Sequence, residues 1–323
     1  MTHTTEISKS KLLVSQFFEA TYQFIEQELI PSLNWAEINQ IFAYRHQLRN
    51  GTPKALVDVL PSIAYFGCVD PVKQDDYLPL TAAWTLSLLA GRIQDDIHNG
   101  EGSEYLWNKY GTQQALPIAS FVLGLAQMAL ARIRPFSASI DIVEAFGKTL
   151  ACTAQAQRER FKFSFNSLSI ETYFANLVSR TAVPFATATW SGARLANATP
   201  NILDIFYQYG LSVGIAIQIE DDCRDLQSDL MAGIYTLPII YTLSQPNFAH
   251  TVELQSLLSK AGTLSTLDMQ TALEILTEKG AVQWSLRMAH VYRAKAINSL
   301  ANLPDEMDMT LLKDFAMGGC LDE

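Results

Sequence analysis

Residues 218–243 read QIEDDCRDLQSDLMAGIYTLPIIYTL, and no other stretch of the chain says as much. Asp221, Asp222 and Asp225 put three carboxylates into about one turn, directly after the apolar run LSVGIAI. On an α-helix, positions three and four apart share a face. The spacing therefore predicts that Asp221 and Asp225 point the same way, with Gln218 one turn earlier and Asp222 flanking them. Like charges this close repel, which disfavours a plain structural role unless a cation stands between them. Mg2+ prefers hard oxygen ligands and is typically held by one or two carboxylates plus substrate phosphates. A second acidic stretch, QDDIHNGE at 94–101, lies 126 residues upstream (221 minus 95). On separate helices, the two stretches are expected to face each other across a cavity and clamp a polyphosphate through shared metal ions.

Working outward, the 323 residues are 49% hydrophobic, enough for a large core. Gly and Pro number only 28 (16 plus 12), below the average usage of ~12%. Apolar residues recur every three to four positions over 9–30, 34–48, 54–67, 80–98, 104–110, 113–134 and 138–161. The same period continues over 169–195, 202–230, 236–244, 250–259, 267–278, 280–300 and 307–317. RNGTP at 49–53 reads as a turn, and Pro71 with DDYLPL reads as a break before the helix at 80. Strand signals are nearly absent, and no NG or DG turn joins alternating apolar runs. The expected organisation is a single all-α domain over 1–323, a helical bundle around a central cavity.

The net charge of −10 argues against nucleic acid, which calls for basic patches. An acidic protein binding an anionic ligand needs metal ions as the bridge. Cys68, Cys152, Cys223 and Cys320 are scattered, with no metal-ligand spacing. The N-terminus lacks the build of a secretory signal. No apolar run reaches the ~20 residues that span a bilayer; the strongest, LPLTAAWTLSLLAG, stops at Arg92. A reducing, soluble, cytoplasmic setting is expected.

With these residues in view, the chain resembles the trans-isoprenyl diphosphate synthase (polyprenyl synthetase) family of the class I terpenoid synthase superfamily, from about residue 15 to 315. In that family, two Asp-rich motifs bind three Mg2+ ions and an allylic diphosphate. The second motif is matched by Gln218, Asp221, Asp222 and Asp225, with SDLMAGIYTLP in place of DLxxGKxTLP. The first is matched by Asp95 and Asp96, with Asn99 where a third aspartate stands. SLSIETYFANLVSRTAVPF resembles the segment around a Lys-Thr pair, here Arg180-Thr181, and Gln157 fits the glutamine of the preceding helix. The departures are equally specific. GGKRxRP, which holds the second substrate, isopentenyl diphosphate, appears as NGTPKALVD, with Lys54 kept and the arginines replaced by Ala55 and Val57. No arginine lies between Arg92 and Arg132, and the lysine of GKxTLP is Ile234. A diphosphate needs several cationic donors to offset its desolvation, so the second pocket is expected to be disabled.

The resemblance assigns Asp95, Asp96, Asn99, Asp221, Asp222 and Asp225 to metal, with Asp95, Asp96, Asp221 and Asp225 essential for catalysis. Asn99 is open between a metal contact and a helix terminator. Arg180, Thr181, Gln218 and Gln157 are assigned to the substrate diphosphate. Arg92 is open between an ion pair with Asp96 or Asp95 and a substrate contact. Ala90 and Gly91 either deepen the pocket for a C15 to C20 chain or serve close helix packing. The function expected is a Mg2+-dependent class I terpene synthase that ionises an allylic isoprenyl diphosphate and quenches or cyclises the cation, commonly as a homodimer. The alternatives are chain elongation with isopentenyl diphosphate, prenyl transfer to a non-isoprenoid acceptor, and a non-catalytic regulatory subunit.

Overall fold

The computed structural model describes residues 2–32, 35–50, 52, 54–69, 74–99, 110–160, 169–245, 250–260 and 264–318. Among them there is no strand. In chain order the helices are α1 (Thr2–Phe24), α2 (Ala36–Arg49), α3 (Ala55–Asp58), α4 (Leu60–Cys68) and α5 (Gln74–Asn99). Then come α6 (Thr112–Leu130), α7 (Phe136–Arg160), α8 (Ile170–Leu177), α9 (Val183–Leu195) and α10 (Pro200–Arg224). The series ends with α11 (Leu226–Ala232), α12 (Leu237–Leu243), α13 (Thr251–Leu258), α14 (Thr266–Glu278), α15 (Ala281–Leu300) and α16 (Thr310–Ala316). The expected helix over 104–110 falls, apart from Tyr110, outside the described residues.

The chain gathers into two compact units, each discontinuous in sequence. The first comprises 1–146, 187–207 and 300–323; the second comprises 147–186 and 208–299.

In the first unit α5 is the central element, packed against α1, α3, α4 and α6. It starts earlier than the sequence predicts, because DDYLPL is helical and Pro79 lies inside it. The proline removes one backbone hydrogen bond, a cost of about 3 kcal/mol. Tyr77, Leu78 and Leu80 around it are all at most 9% exposed, and burial of such side chains contributes about 1.5–3 kcal/mol each. Burial outweighs the breaker. Side chains of α5 also fix the short α3 turn: Trp84 Nε1 donates to the Val57 carbonyl at 2.7 Å and Thr85 Oγ1 to that of Asp58 at 2.9 Å. The Asp58 carboxylate is buried against Arg45, 2.8 Å away.

In the second unit Leu177, Ala182, Ile215, Ile219, Leu237 and Ala289 form one apolar cluster around α10. A second cluster joins Leu226 and Leu230 to Leu254, Met269, Ile275 and Leu276. Gly214 permits the closest approach. A Cβ there would lie 2.8 Å from Ala182 Cα and 3.1 Å from Phe185 Cβ, so only glycine lets α10 meet that backbone. The TLP triplet starts a helix: Thr236 is extended, and Pro238 sits in the first turn of α12, where its missing N–H costs nothing.

One further expectation needs correction. The helix predicted over 202–230 is interrupted at Asp225 (φ −93°, ψ 11°), which separates α10 from α11. Its amide still donates to the Asp221 carbonyl at 2.8 Å, so the one-turn relation between the two residues survives the bend. α6 and α10 are long and apolar enough to cross a bilayer by length and composition, and about half of each is buried within the protein, as in a core helix.

Candidate active site

The two acidic stretches fall in different units, and each has its own surroundings.

In the first unit, Asp95 and Asp96 stand near the end of α5. Asp96 is 1% exposed, and Arg92, one turn earlier on the same helix, holds it with Nε 2.8 Å from Oδ1. The ion pair that spacing alone suggested is therefore made. A buried carboxylate needs such a partner, because desolvating an unpaired charge costs several kcal/mol. Asp95 is half-buried beside it. Ala90 is fully buried, whereas a Cβ on Gly91 would meet nothing within 4 Å. Close helix packing thus explains Ala90 and not Gly91, whose small size leaves open space. The Asn99 side chain and Glu101 lie outside the described residues.

In the second unit the residues converge on α10. Thr181 Oγ1 donates to Gln218 Oε1 at 2.8 Å, and Gln218 Nε2 donates to Asp222 Oδ1 at 2.7 Å. Tyr173 Oη donates to the other oxygen, Asp222 Oδ2, at 2.5 Å. Burial raises the Tyr173 hydroxyl well above its ordinary value, and the adjoining Asp222 charge adds to that, so the proton stays on the phenol. Arg180 and Thr181 lie on a π-helical turn, Val178–Ala182, between α8 and α9. Such turns are rare and occur frequently at functional sites. Arg180 Nε is buried and has no hydrogen-bond partner among the described residues. Gln157 is buried on α7. That stretch of α7 adjoins α8, since Asn176 Nδ2 donates to the Ala156 carbonyl at 2.8 Å.

Asp221 keeps 40% of its side-chain surface exposed and pairs with Arg224 at 2.5 Å. Protein crowded around its carboxyl raises its pKa; Arg224 opposes that rise, while Asp225 and Asp222 add to it. Asp225 is exposed at the bend. Behind the motif, Arg293 of α15 grips both oxygens of Glu220.

Among the described residues, no three acid, histidine or cysteine side chains converge into a ready-made metal cage. The donor chemistry nevertheless fits a hard divalent ion. The candidate ligands whose side chains are described are all carboxylates, and the rise at Asp221 includes repulsion from Asp225 and Asp222 that a cation would relieve. A partial shell of this kind leaves coordination positions for water and substrate oxygens, as Mg2+ sites usually do.

Sequence reasoning missed Tyr173. It sits in IETYFANLVSR, seven residues before Arg180, and nothing local connects it to Asp222, 49 residues on. The aromatic side chains Phe185 and Phe206 are core, at 6% and 0% exposure.

A helical bundle with this pair of acidic stretches defines the class I terpenoid synthase fold, and solved structures agree. The chain superposes with a TM-score of 0.83 on geranylgeranyl pyrophosphate synthetase of Pyrococcus horikoshii, at 19% identity over 98% of this chain and 100% of that one. The polyprenyl synthase of Caulobacter crescentus, solved with calcium and isoprenyl diphosphate, gives 0.80 at 20% identity, covering 96% and 94%. The family profile described as Polyprenyl synthetase matches residues 84–276, from within α5 to within α14, and the chain belongs to that family. It is 24% identical over 244 residues to a prenyl transferase of Cyanidium caldarium, covering 72% of each. It is 23% identical over 246 residues to the chloroplastic solanesyl diphosphate synthase 1 of Arabidopsis thaliana, covering 72% of this chain and 58% of that one. A chloroplastic relative lends no support to the cytoplasmic location expected from the sequence.

Proposed function

We propose that the chain is a Mg2+-dependent prenyltransferase that extends an allylic isoprenyl diphosphate with isopentenyl diphosphate. The allylic C–O bond breaks and diphosphate leaves. The double bond of the second substrate then attacks the allylic carbon, and a proton is lost to restore neutrality. The family match carries this reading, because residues 84–276 include both acidic stretches and the relatives are named prenyl transferase and solanesyl or heptaprenyl diphosphate synthase. That evidence favours elongation over the cyclase expected from the sequence.

Asp95, Asp221 and Asp225 are the proposed Mg2+ ligands, and three ions is the number that the family resemblance implies. Bound Mg2+ would neutralise charge building on the departing diphosphate. Arg180, with its buried unpartnered Nε, donates to the same group, and Gln218 and Thr181 orient it. Gly91 leaves room for the growing chain. A homodimer is proposed from the apolar stripe Phe136, Ile140 and Val143 on α7, exposed at 70%, 52% and 40%. One relative is named component 2 of a heptaprenyl diphosphate synthase, so a second kind of subunit is the rival partner.

A terpene synthase is the second reading, favoured by the replacement of the second-substrate arginines with Ala55 and Val57 and by Ile234 in place of lysine. One incubation separates the two: protein and Mg2+ with C10, C15 or C20 allylic diphosphate, with and without isopentenyl diphosphate. A longer diphosphate formed only with the second substrate supports elongation. Hydrocarbon or alcohol formed without it overturns elongation in favour of the second reading.

A further inference from the structure

We infer that Tyr173 is a positioning residue for the diphosphate site, and that Asp222 works with it as an internal anchor and not as a metal ligand; this rests on the diphosphate chemistry proposed above. Asp222 is 5% exposed, and each of its oxygens already accepts a hydrogen bond, from Tyr173 on α8 and from Gln218 one turn back on α10. A carboxylate is an acceptor only. It therefore dictates the direction of the chain of bonds that leads away from it. Gln218 must turn its NH2 toward Asp222, which leaves its carbonyl oxygen to accept from Thr181 Oγ1. A reversed amide would set its oxygen against a carboxylate.

The result ties one helical run to α10 at two points. Tyr173 ties α8 through Asp222, and Thr181 ties the π-turn through Gln218. Arg180, next to Thr181, is held on that turn, with a buried donor that has no partner among the described residues. A turn fixed in this way sets where the Arg180 side chain starts, so less backbone freedom is lost when its guanidinium meets an anionic oxygen. Gly214 makes the arrangement possible, since any Cβ there would push Ala182, the last residue of the π-turn, away from α10.

The test uses the full chain with Tyr173→Phe, Asp222→Asn and the double substitution. Mn2+ binding is followed by the electron spin resonance of the free ion. Inorganic pyrophosphate binding at saturating Mg2+ is followed by titration calorimetry. Each single change is expected to weaken pyrophosphate binding about 10- to 100-fold, the usual effect of losing a supporting contact. The double change should lose no more than the larger single one, because the two residues act as one unit. Mn2+ affinity should stay within about twofold of the parent. A loss of Mn2+ binding confined to Asp222→Asn makes Asp222 a metal ligand and overturns the inference, as does unaltered pyrophosphate binding by Tyr173→Phe. If Asp222→Asn does not fold, Thr181→Val and Thr181→Ser take its place, the first losing pyrophosphate affinity and the second keeping it. Neither readout needs turnover, so a parent protein that binds pyrophosphate but converts no allylic diphosphate sinks the functional proposal and leaves this one standing.

Discussion

The two acidic stretches solve one electrostatic problem in opposite ways. At the end of α5, buried Asp96 is balanced by a full positive charge, Arg92, four residues back on its own helix. On α10, buried Asp222 accepts hydrogen bonds from two neutral donors, Tyr173 and Gln218, one of which comes from a different helix. The first solution is local and rigid in sequence, and it leaves Arg92 with 44% of its side chain in water. The second commits a distant tyrosine and, through Gln218, a π-turn. A cation beside the first motif takes up charge that metal would otherwise neutralise. In the second motif a cation, Arg224, likewise pairs with Asp221, and Asp225 stands exposed at the bend.

That contrast can be broken first at the metal. Asp221→Ala is expected to lower turnover by on the order of 10²-fold or more, beyond the range for a lost supporting contact. Unchanged steady-state rates for this variant would remove the second motif from the chemistry.

Packing sharpens it next. Gly214→Ala should destabilise the protein by about 1–3 kcal/mol in urea unfolding, since its Cβ has nowhere to go. Gly91→Ala should do the reverse, gaining about 0.5–1 kcal/mol from helix propensity because nothing stands within 4 Å. If both lose stability equally, the open space beside Gly91 is not there.

A smaller effect is expected for Arg92→Gln, about 1–2 kcal/mol of lost stability. That is below the 3–5 typical of a broken buried pair, because Arg92 is 44% exposed and solvent-screened. Thermal melts in high salt should narrow the difference from the parent.

The smallest effect lies away from both motifs, at the Asp268 capping box of α14. Hydrogen bonds from Lys260 and Ser265 hold this carboxyl down at about 2, below its ordinary 3.8. A depressed carboxyl contributes stability that is present above 3.8 and lost as the pH falls through about 2. Asp268→Asn should therefore melt slightly lower than the parent at neutral pH, with the two curves meeting near pH 2. A constant gap across that window would show that the charge plays no part.

Arg92–Asp96 was legible in the sequence because helical neighbours are set by spacing alone. So were the helical class, the positions of most helices, and the family resemblance that the profile over 84–276 bears out. Pro79 was misread because a breaker's local cost is visible in the sequence, while the burial that offsets it is not. The bend at Asp225 was missed because the apolar period runs on through it into Leu226 and Leu230, both of which are buried.

What the chain's order of residues determined by itself is periodic and short-range: helices, the clustering of carboxylates, and ion pairs one turn apart. What only the tertiary structure decided is which partner each buried polar group takes. Tyr173 meets Asp222 because α8 packs on α10, and the π-turn reaches Gln218 because Gly214 lets two backbones touch. A buried carboxylate must find donors wherever packing brings them, and packing joins residues that sequence keeps apart.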